Sequence, residues 1–177
     1  MRFFYSSKKP LIIAAFCFCS QFALAQNIEP AIATLLQLDG NVEAVTAKSP
    51  KGRRGINGMI LFTGDKISTA ENSKATIEYR DGSRVRLFEN SQLVLNFSEE
   101  QATSKRTFNF QIALNKGSLR GRFLKGLQNT RIRTPTAQIG VKGTTLRVKE
   151  RDNRATVSLT EGQVEISNLT SRTILNP

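Results

Sequence analysis

Hydrophobic and polar residues alternate in short runs along most of this chain. Ile77 and Tyr79 alternate with Glu78 and Arg80, and Val85 and Leu87 with Arg84 and Arg86. Phe108, Phe110, Ile112 and Leu114 alternate with Asn109, Gln111 and Ala113. A period of two places alternate side chains on opposite faces of a strand. Gly, Asp and Asn separate the runs, and no amphipathic helical period of convincing length occurs. The pattern predicts an all-β, mainly antiparallel domain of hairpins and meanders, either a sandwich or a rolled, solenoid-like stack.

Turn residues add detail. Ile32 to Thr46, broken at Asp39-Gly40, reads as a hairpin. Lys48 to Gly58, with Pro50, three glycines and four basic residues, reads as an exposed loop. Met59 to Phe62 returns to the core. At Asp81-Gly82 a two-residue turn would pair Glu78 with Val85 and mix charge with core. A three-residue loop, Arg80-Asp81-Gly82, pairs Ile77 with Val85 and Glu78 with Arg84. It also sets Gly82 at the left-handed position that such a loop requires, which predicts a type I turn with a glycine bulge. Asn90 to Leu95 reads as a short strand and Phe97 to Arg106 as a polar loop. A Lys116-Gly117 turn is expected to pair Leu114 with Leu119 and Phe110 with Phe123. Lys125 to Thr130 reads as a loop.

Ile132 to Ile166 carries the clearest alternation, punctuated by Gly140, Gly143 and Gly162. An Asp152-Asn153 turn pairs Leu146 with Leu159 and Val148 with Val157. A Glu161-Gly162 turn pairs Leu159 with Val164 and Val157 with Ile166. Both place the same residues on one face, which predicts a three-strand meander entered through a turn at Gly140 to Thr144. Thr170 to Pro177 reads as a frayed end.

The first residues have a different character. Arg2, Lys8 and Lys9 form a basic start, Leu11 to Leu24 is mostly apolar, and Ala23-Leu24-Ala25 supplies a small-x-small cleavage pattern. The apolar run of 14 residues falls short of the roughly 20 needed to span a bilayer. Residues 1–25 therefore read as a cleaved signal peptide, 26–170 as the β domain and 171–177 as the frayed end. Cys17 and Cys19 each follow a phenylalanine, whereas a lipidated cysteine normally follows Gly or Ala. Cleavage would remove both, leaving a periplasmic chain with no disulfide and no transmembrane helix, stabilised by its core alone.

Charge bears on the partner. The chain has 26 basic and 14 acidic residues, a net charge of +12. Gln101 to Arg154 holds thirteen basic residues against only Glu150 and Asp152. Such a block attracts anionic surfaces. An exported protein does not normally meet nucleic acid, so the expected partner is an envelope protein or an anionic envelope polymer. Arg120, Arg122, Arg131, Arg133, Lys142, Arg147 and Lys149 are the candidate contacts; a solvated face without a dedicated ligand is the alternative.

Catalytic chemistry finds little material. No histidine occurs, and cleavage would leave no cysteine, which excludes zinc sites, Cys or Ser/His nucleophiles and histidine acid–base chemistry. Asp39, Asp65, Asp81, Asp152 and Glu161 sit beside turns, where acidic residues are ordinary. Gly140-Val141-Lys142-Gly143-Thr144 lacks the Gly-Lys-Ser/Thr order of a phosphate loop and is flanked by strands rather than strand and helix. The expectation is a non-enzyme without cofactor, metal or catalytic residues.

In order and spacing, several short pieces together resemble the FecR domain family. They are Gly64-Asp65-Lys66-Ile67-Ser68-Thr69, Ser73-Lys74-Ala75, Asp81-Gly82-Ser83-Arg84-Val85-Arg86-Leu87 and Asn90-Ser91 with Leu93 and Leu95. Lys116-Gly117-Ser118-Leu119-Arg120, Thr134-Pro135-Thr136-Ala137, Gly140 to Thr144 and Glu161-Gly162-Gln163-Val164 complete the set. The resemblance implies a periplasmic β-rich domain acting through protein–protein contact. In the best-known members it lies beyond a membrane helix and relays a signal from an outer-membrane receptor to a sigma factor. With neither a membrane helix nor a cytoplasmic anti-sigma segment in its expected mature part, this chain reads as a free-standing exported FecR-type domain. The resemblance supplies no catalytic residue. It implies structural roles for Gly64, Asp65, Asp81, Gly82, Gly117, Pro135, Gly140, Gly143, Thr144 and Gly162. Two functions stand: a protein-binding or scaffold module of envelope signalling, or a binder of peptidoglycan or lipopolysaccharide.

Overall fold

The computed structural model describes residues 30–102, 105–126, 128–168 and 171–177. The expected signal peptide, with Cys17 and Cys19, lies outside them. The strands in chain order are β1 Ala33–Asp39, β2 Val42–Thr46, β3 Ser49–Arg54, β4 Met59–Leu61, β5 Lys66–Thr69, β6 Lys74–Tyr79 and β7 Arg84–Leu87. They continue with β8 Gln92–Ala102, β9 Lys105–Arg122, β10 Gln128–Arg133, β11 Gln138–Arg151, β12 Arg154–Ser167 and β13 Arg172–Leu175. Among the described residues there is no helix. The expected all-β class is what the structure shows.

Hydrogen bonding joins all thirteen strands into one sheet. Every pairing is antiparallel except that of β10 with β9. The sheet is rolled because β9, β11 and β12 each bend and serve two layers. The first layer runs β3-β2-β5-β8, the first part of β9, β10, the start of β11, the end of β12, and β13. The second runs β4-β1-β6-β7, the last part of β9, the rest of β11 and the start of β12. The alternating patterns turn one face of each layer inward. Leu35, Ile77 and Leu87 of the second layer and Ile67, Leu95 and Ile112 of the first are fully buried in one cluster. Tyr79 meets Phe110 across the layers edge to face, centroids 5.6 Å apart. Each such buried Leu or Ile contributes about 1.5–3 kcal/mol.

Two local predictions match the structure. Ile77 pairs with Val85 and Glu78 with Arg84, and Gly82 has φ +82°. The Asp152-Asn153 turn pairs Leu146 with Leu159 and Val148 with Val157, with both turn residues at positive φ. That is the twist two-residue hairpins prefer.

The other turns are different. Lys116-Gly117 is not a hairpin: β9 continues through it as one bent strand, pairing Leu114 with Leu93 and Phe110 with Phe97, then Leu119 with Leu87 and Val148. Gly117 (φ +93°) lies at the bend where β9 exchanges partners, and a Cβ there would lie 2.4 Å from Ser91 Cα. The Ser118 N–H donates to Ser91 Oγ at 2.8 Å and pins the bend. A left-handed glycine serves a tight turn and a bulge equally well, so local sequence does not separate the two. Glu161-Gly162 is likewise a bulge inside β12, opposite Gly143 in β11, so Val164 pairs with Val141 and Ile166 with Ile139. The expected three-strand meander is one long bent hairpin, and Gly140 to Thr144 lies within it rather than before it.

The remaining corrections extend the sheet. β1 and β2 do not pair; the chain crosses at Gly40 from one layer to the other. Part of the expected Lys48 to Gly58 loop is β3, hydrogen-bonded to β2. Within the expected Phe97 to Arg106 loop, Phe97–Ala102 and Lys105–Arg106 are strand, continuing the β8–β9 ladder to Ala102↔Lys105. The expected loop before Ile132 is strand from Gln128, and residues 172–175, expected to fray, pair with β12. Polar outward faces hide such strands from hydropathy, because a partner strand satisfies their backbone whatever the side chains.

Candidate functional site

The second layer presents a cationic outer face. Val85, Leu87, Leu119 and Val148 point inward, so Arg84, Arg86, Arg120, Arg122, Arg147 and Lys149 point outward and are exposed. Strand register then aligns them. Arg86 of β7 lies directly beside Arg120 of β9, which lies beside Arg147 of β11. Neighbouring strands are about 4.8 Å apart, so three guanidinium-bearing residues form one row across three strands. Beside it runs a second row, Glu78, Arg84, Arg122, Thr145 and Glu161. In that row Glu78 pairs with Arg84. Among the described residues no ion pair involves Arg86, Arg120 or Arg147. Like charges directly opposite across strands destabilise a sheet, so an anion laid on this row gains attraction and relieves repulsion together.

One aromatic ring orders the end of the row. The Arg147 guanidinium lies over Phe88, 4.7 Å from the ring centroid. Phe88, Lys116, Arg147, Lys149 and Glu150 line a shallow concavity there. Glu150 is itself buried and accepts a hydrogen bond from Thr136 Oγ1 at 3.2 Å.

The seven candidate contacts divide between two faces. Arg120, Arg122, Arg147 and Lys149 share the outer face of the second layer. Arg131, Arg133 and Lys142 lie on the outer face of the first, because Ile132, Ile139 and Val141 point inward. There Arg131 stands between Gln111 and Gly140, and Arg133 between Ala113 and Gln138. Glu165, one strand beyond Gly140, pairs with Arg172. Sequence reasoning missed Arg86 and Phe88, which precede the basic block. Their alternation with Val85 and Leu87 signals the outward face; the β7–β9 pairing that brings them to Arg120 has no local signal.

The motif residues sit at turns and bends. The Gly64 N–H donates to Leu95 O at 2.7 Å, and Asp65 Oδ2 accepts from the Phe62 N–H at 2.8 Å. Asp81 accepts from the Ser83 N–H at 2.9 Å and its hydroxyl at 2.7 Å. Pro135 lies in a turn closed by Thr134 and Ala137. Thr144 is buried, and its carbonyl accepts from the Phe123 N–H. Among the described residues no group of three His, Cys, Asp or Glu side chains is placed to hold a metal, and no helix is long and apolar enough to cross a membrane.

The fold and face together define a rolled all-β domain with a row of three adjacent arginines on the outer face of its second layer. The sequence matches the family described as FecR protein over residues 65–165, and the chain belongs to that family. Two crystal structures described as a "putative anti-sigma factor" from Parabacteroides distasonis share the fold, with TM-scores of 0.50 and 0.51 at 19% identity. The match covers 63% of this chain and 51% of theirs, so the chain spans about half their length. No curated protein matches.

Proposed function

We propose that this protein is a non-catalytic, periplasmic FecR module that docks an acidic face of an envelope protein on its arginine row, as part of a signalling system. The observation that carries this reading is the row itself: Arg86, Arg120 and Arg147 stand side by side with no acidic neighbour in register. Membership of the FecR family supports a signalling role, and the signal-peptide pattern supports export. Charged rows of this kind steer encounter and set specificity more than they add raw affinity. Affinity capture from envelope fractions tests the reading. Charge reversal at Arg120, Arg122 and Arg147 reduces recovery of the bound protein at least about tenfold, equivalent to ~1.4 kcal/mol. Unchanged recovery overturns the docking assignment. Retention on purified sacculi or lipopolysaccharide that collapses with added salt, as exposed-charge binding does, assigns the row to a polymer instead.

A further inference from the structure

The second layer ends on an open strand. Arg154–Glu161, the first part of β12, pairs with β11 on one side, while β13 pairs only with Val164–Ser167. Among the described residues nothing pairs with its other edge. The core runs out at this position. Val148 and Leu146 are fully buried in β11, whereas their partners Val157 and Leu159 are only half-buried. A further strand would complete their cover.

Exposed edges are normally blunted by brevity, proline, charge or a bulge. The other edges follow that rule. β4 has three residues, β13 has four including Arg172, and β3 carries Pro50, Lys51, Arg53 and Arg54. Ala155 to Leu159 (ATVSL), ahead of the bulge at Thr160, has no charge, no proline and no glycine.

The segment is also complementary to itself. Arg154 begins it and Glu161 ends it, both exposed. A bulge sets Thr160 and Glu161 together opposite Thr145. Antiparallel pairing of two copies about Val157 therefore brings Arg154 of each copy to Glu161 of the other. It also places Val157 on Val157, Ala155 on Leu159 along the inner face, and Thr156 on Ser158 along the outer face. No like charges oppose one another in the joint, although the chain as a whole is strongly basic. We infer that two copies of this protein associate edge to edge through β12, on a two-fold axis at Val157, the commonest symmetry of homo-oligomers. The joint continues the second layer across both copies and leaves both arginine rows on one outer surface. It does not depend on what the row binds.

Sedimentation of the full chain across micromolar to millimolar concentrations gives the first test: the inference predicts a reversible dimer. Thr156 and Ser158 are exposed and face each other across the joint. T156K/S158K sets lysine against lysine twice and raises the dissociation constant at least about tenfold. T156K/S158E sets lysine against glutamate and restores association. In a chain with Cys17 and Cys19 replaced by serine, Val157→Cys forms an intermolecular disulfide on mild oxidation. Residues opposite one another have Cα atoms about 4.5–5.5 Å apart, within disulfide reach. Leu159→Cys, four residues' span from its own copy, forms none. A monomer at every concentration, equal behaviour of the two double variants, or equal crosslinking at 157 and 159 overturns the inference.

Discussion

The two outer faces of the roll carry similar cations in different arrangements. On the first layer each is separated in register from the next by a neutral residue: Arg131 flanks Gly140 and Gln111, and Arg133 flanks Gln138 and Ala113. Glu165 and Arg172 pair nearby. On the second layer Arg86, Arg120 and Arg147 are direct neighbours. Residue counts alone treat these faces alike, yet only one concentrates charge at strand spacing. Position in the sheet, set by which strands pair, decides whether similar cations are dispersed or concentrated in one row.

Removing the bend that routes β9 from one layer to the other costs the most stability. Gly117→Val meets Ser91 and forces a β-branched residue to positive φ. Strain of this kind and overpacking each cost about 1–3 kcal/mol. Urea unfolding should show a loss on the order of 3 kcal/mol, or failure to fold.

Reversing charge on each face separately distinguishes the arrangement of cations from net charge. Arg86, Arg120 and Arg147 to Glu lowers partner recovery at least about tenfold, whereas Arg131, Arg133 and Lys142 to Glu lowers it less than about threefold. Equal losses would make the effect one of net charge rather than of arrangement.

Tyr79 tests the core the two faces share. Its hydroxyl is buried without a hydrogen-bond partner, and burial first, then the Asp81 charge, pushes its pKa well above the ordinary phenol value. The folded state therefore favours the neutral phenol. This contribution is fully present below the unfolded pKa of about 10 and is lost as pH rises above it. Tyr79→Phe removes the orphaned hydroxyl and should raise stability by about 1 kcal/mol. The decline in stability above about pH 10 should also become shallower in the variant, as read from denaturation across alkaline pH.

The smallest effect concerns order within the row. Phe88→Leu removes the ring beneath Arg147, a contact of about 0.5–1 kcal/mol at an exposed site. Partner recovery should fall two- to fivefold by that measure, with unfolding little changed.

Alternation made the all-β class and the inward sets legible, and two hairpins were legible in register. Asp81-Gly82 and Asp152-Asn153 join segments adjacent in sequence, so turn type alone fixes their pairing. Gly117 and Gly162 were readable as turns but not as bends within a continuing strand: beyond Gly117 β9 pairs with β7 and β11, and beyond Gly162 β12 keeps β11 as its partner. The polar strand residues Phe97–Ala102 and Lys105–Arg106 and the basic β3 were hidden as strands, since their pairing is backbone-driven. Of the candidate surface, Arg120, Arg122, Arg147 and Lys149 came together as one face. Arg131, Arg133 and Lys142 went to the other, because β10 follows the first part of β9 in parallel. Arg86 entered the row only through the β7–β9 pairing.

Contact through the arginine row is open to a direct test. A photoreactive residue placed at Lys149, beside an intact row, or at Gln138, on the opposite face, tests it in living cells. Both positions are exposed. Docking on the row gives a protein adduct from position 149 and none from 138. Adducts from 138 alone, or equally from both, would contradict it.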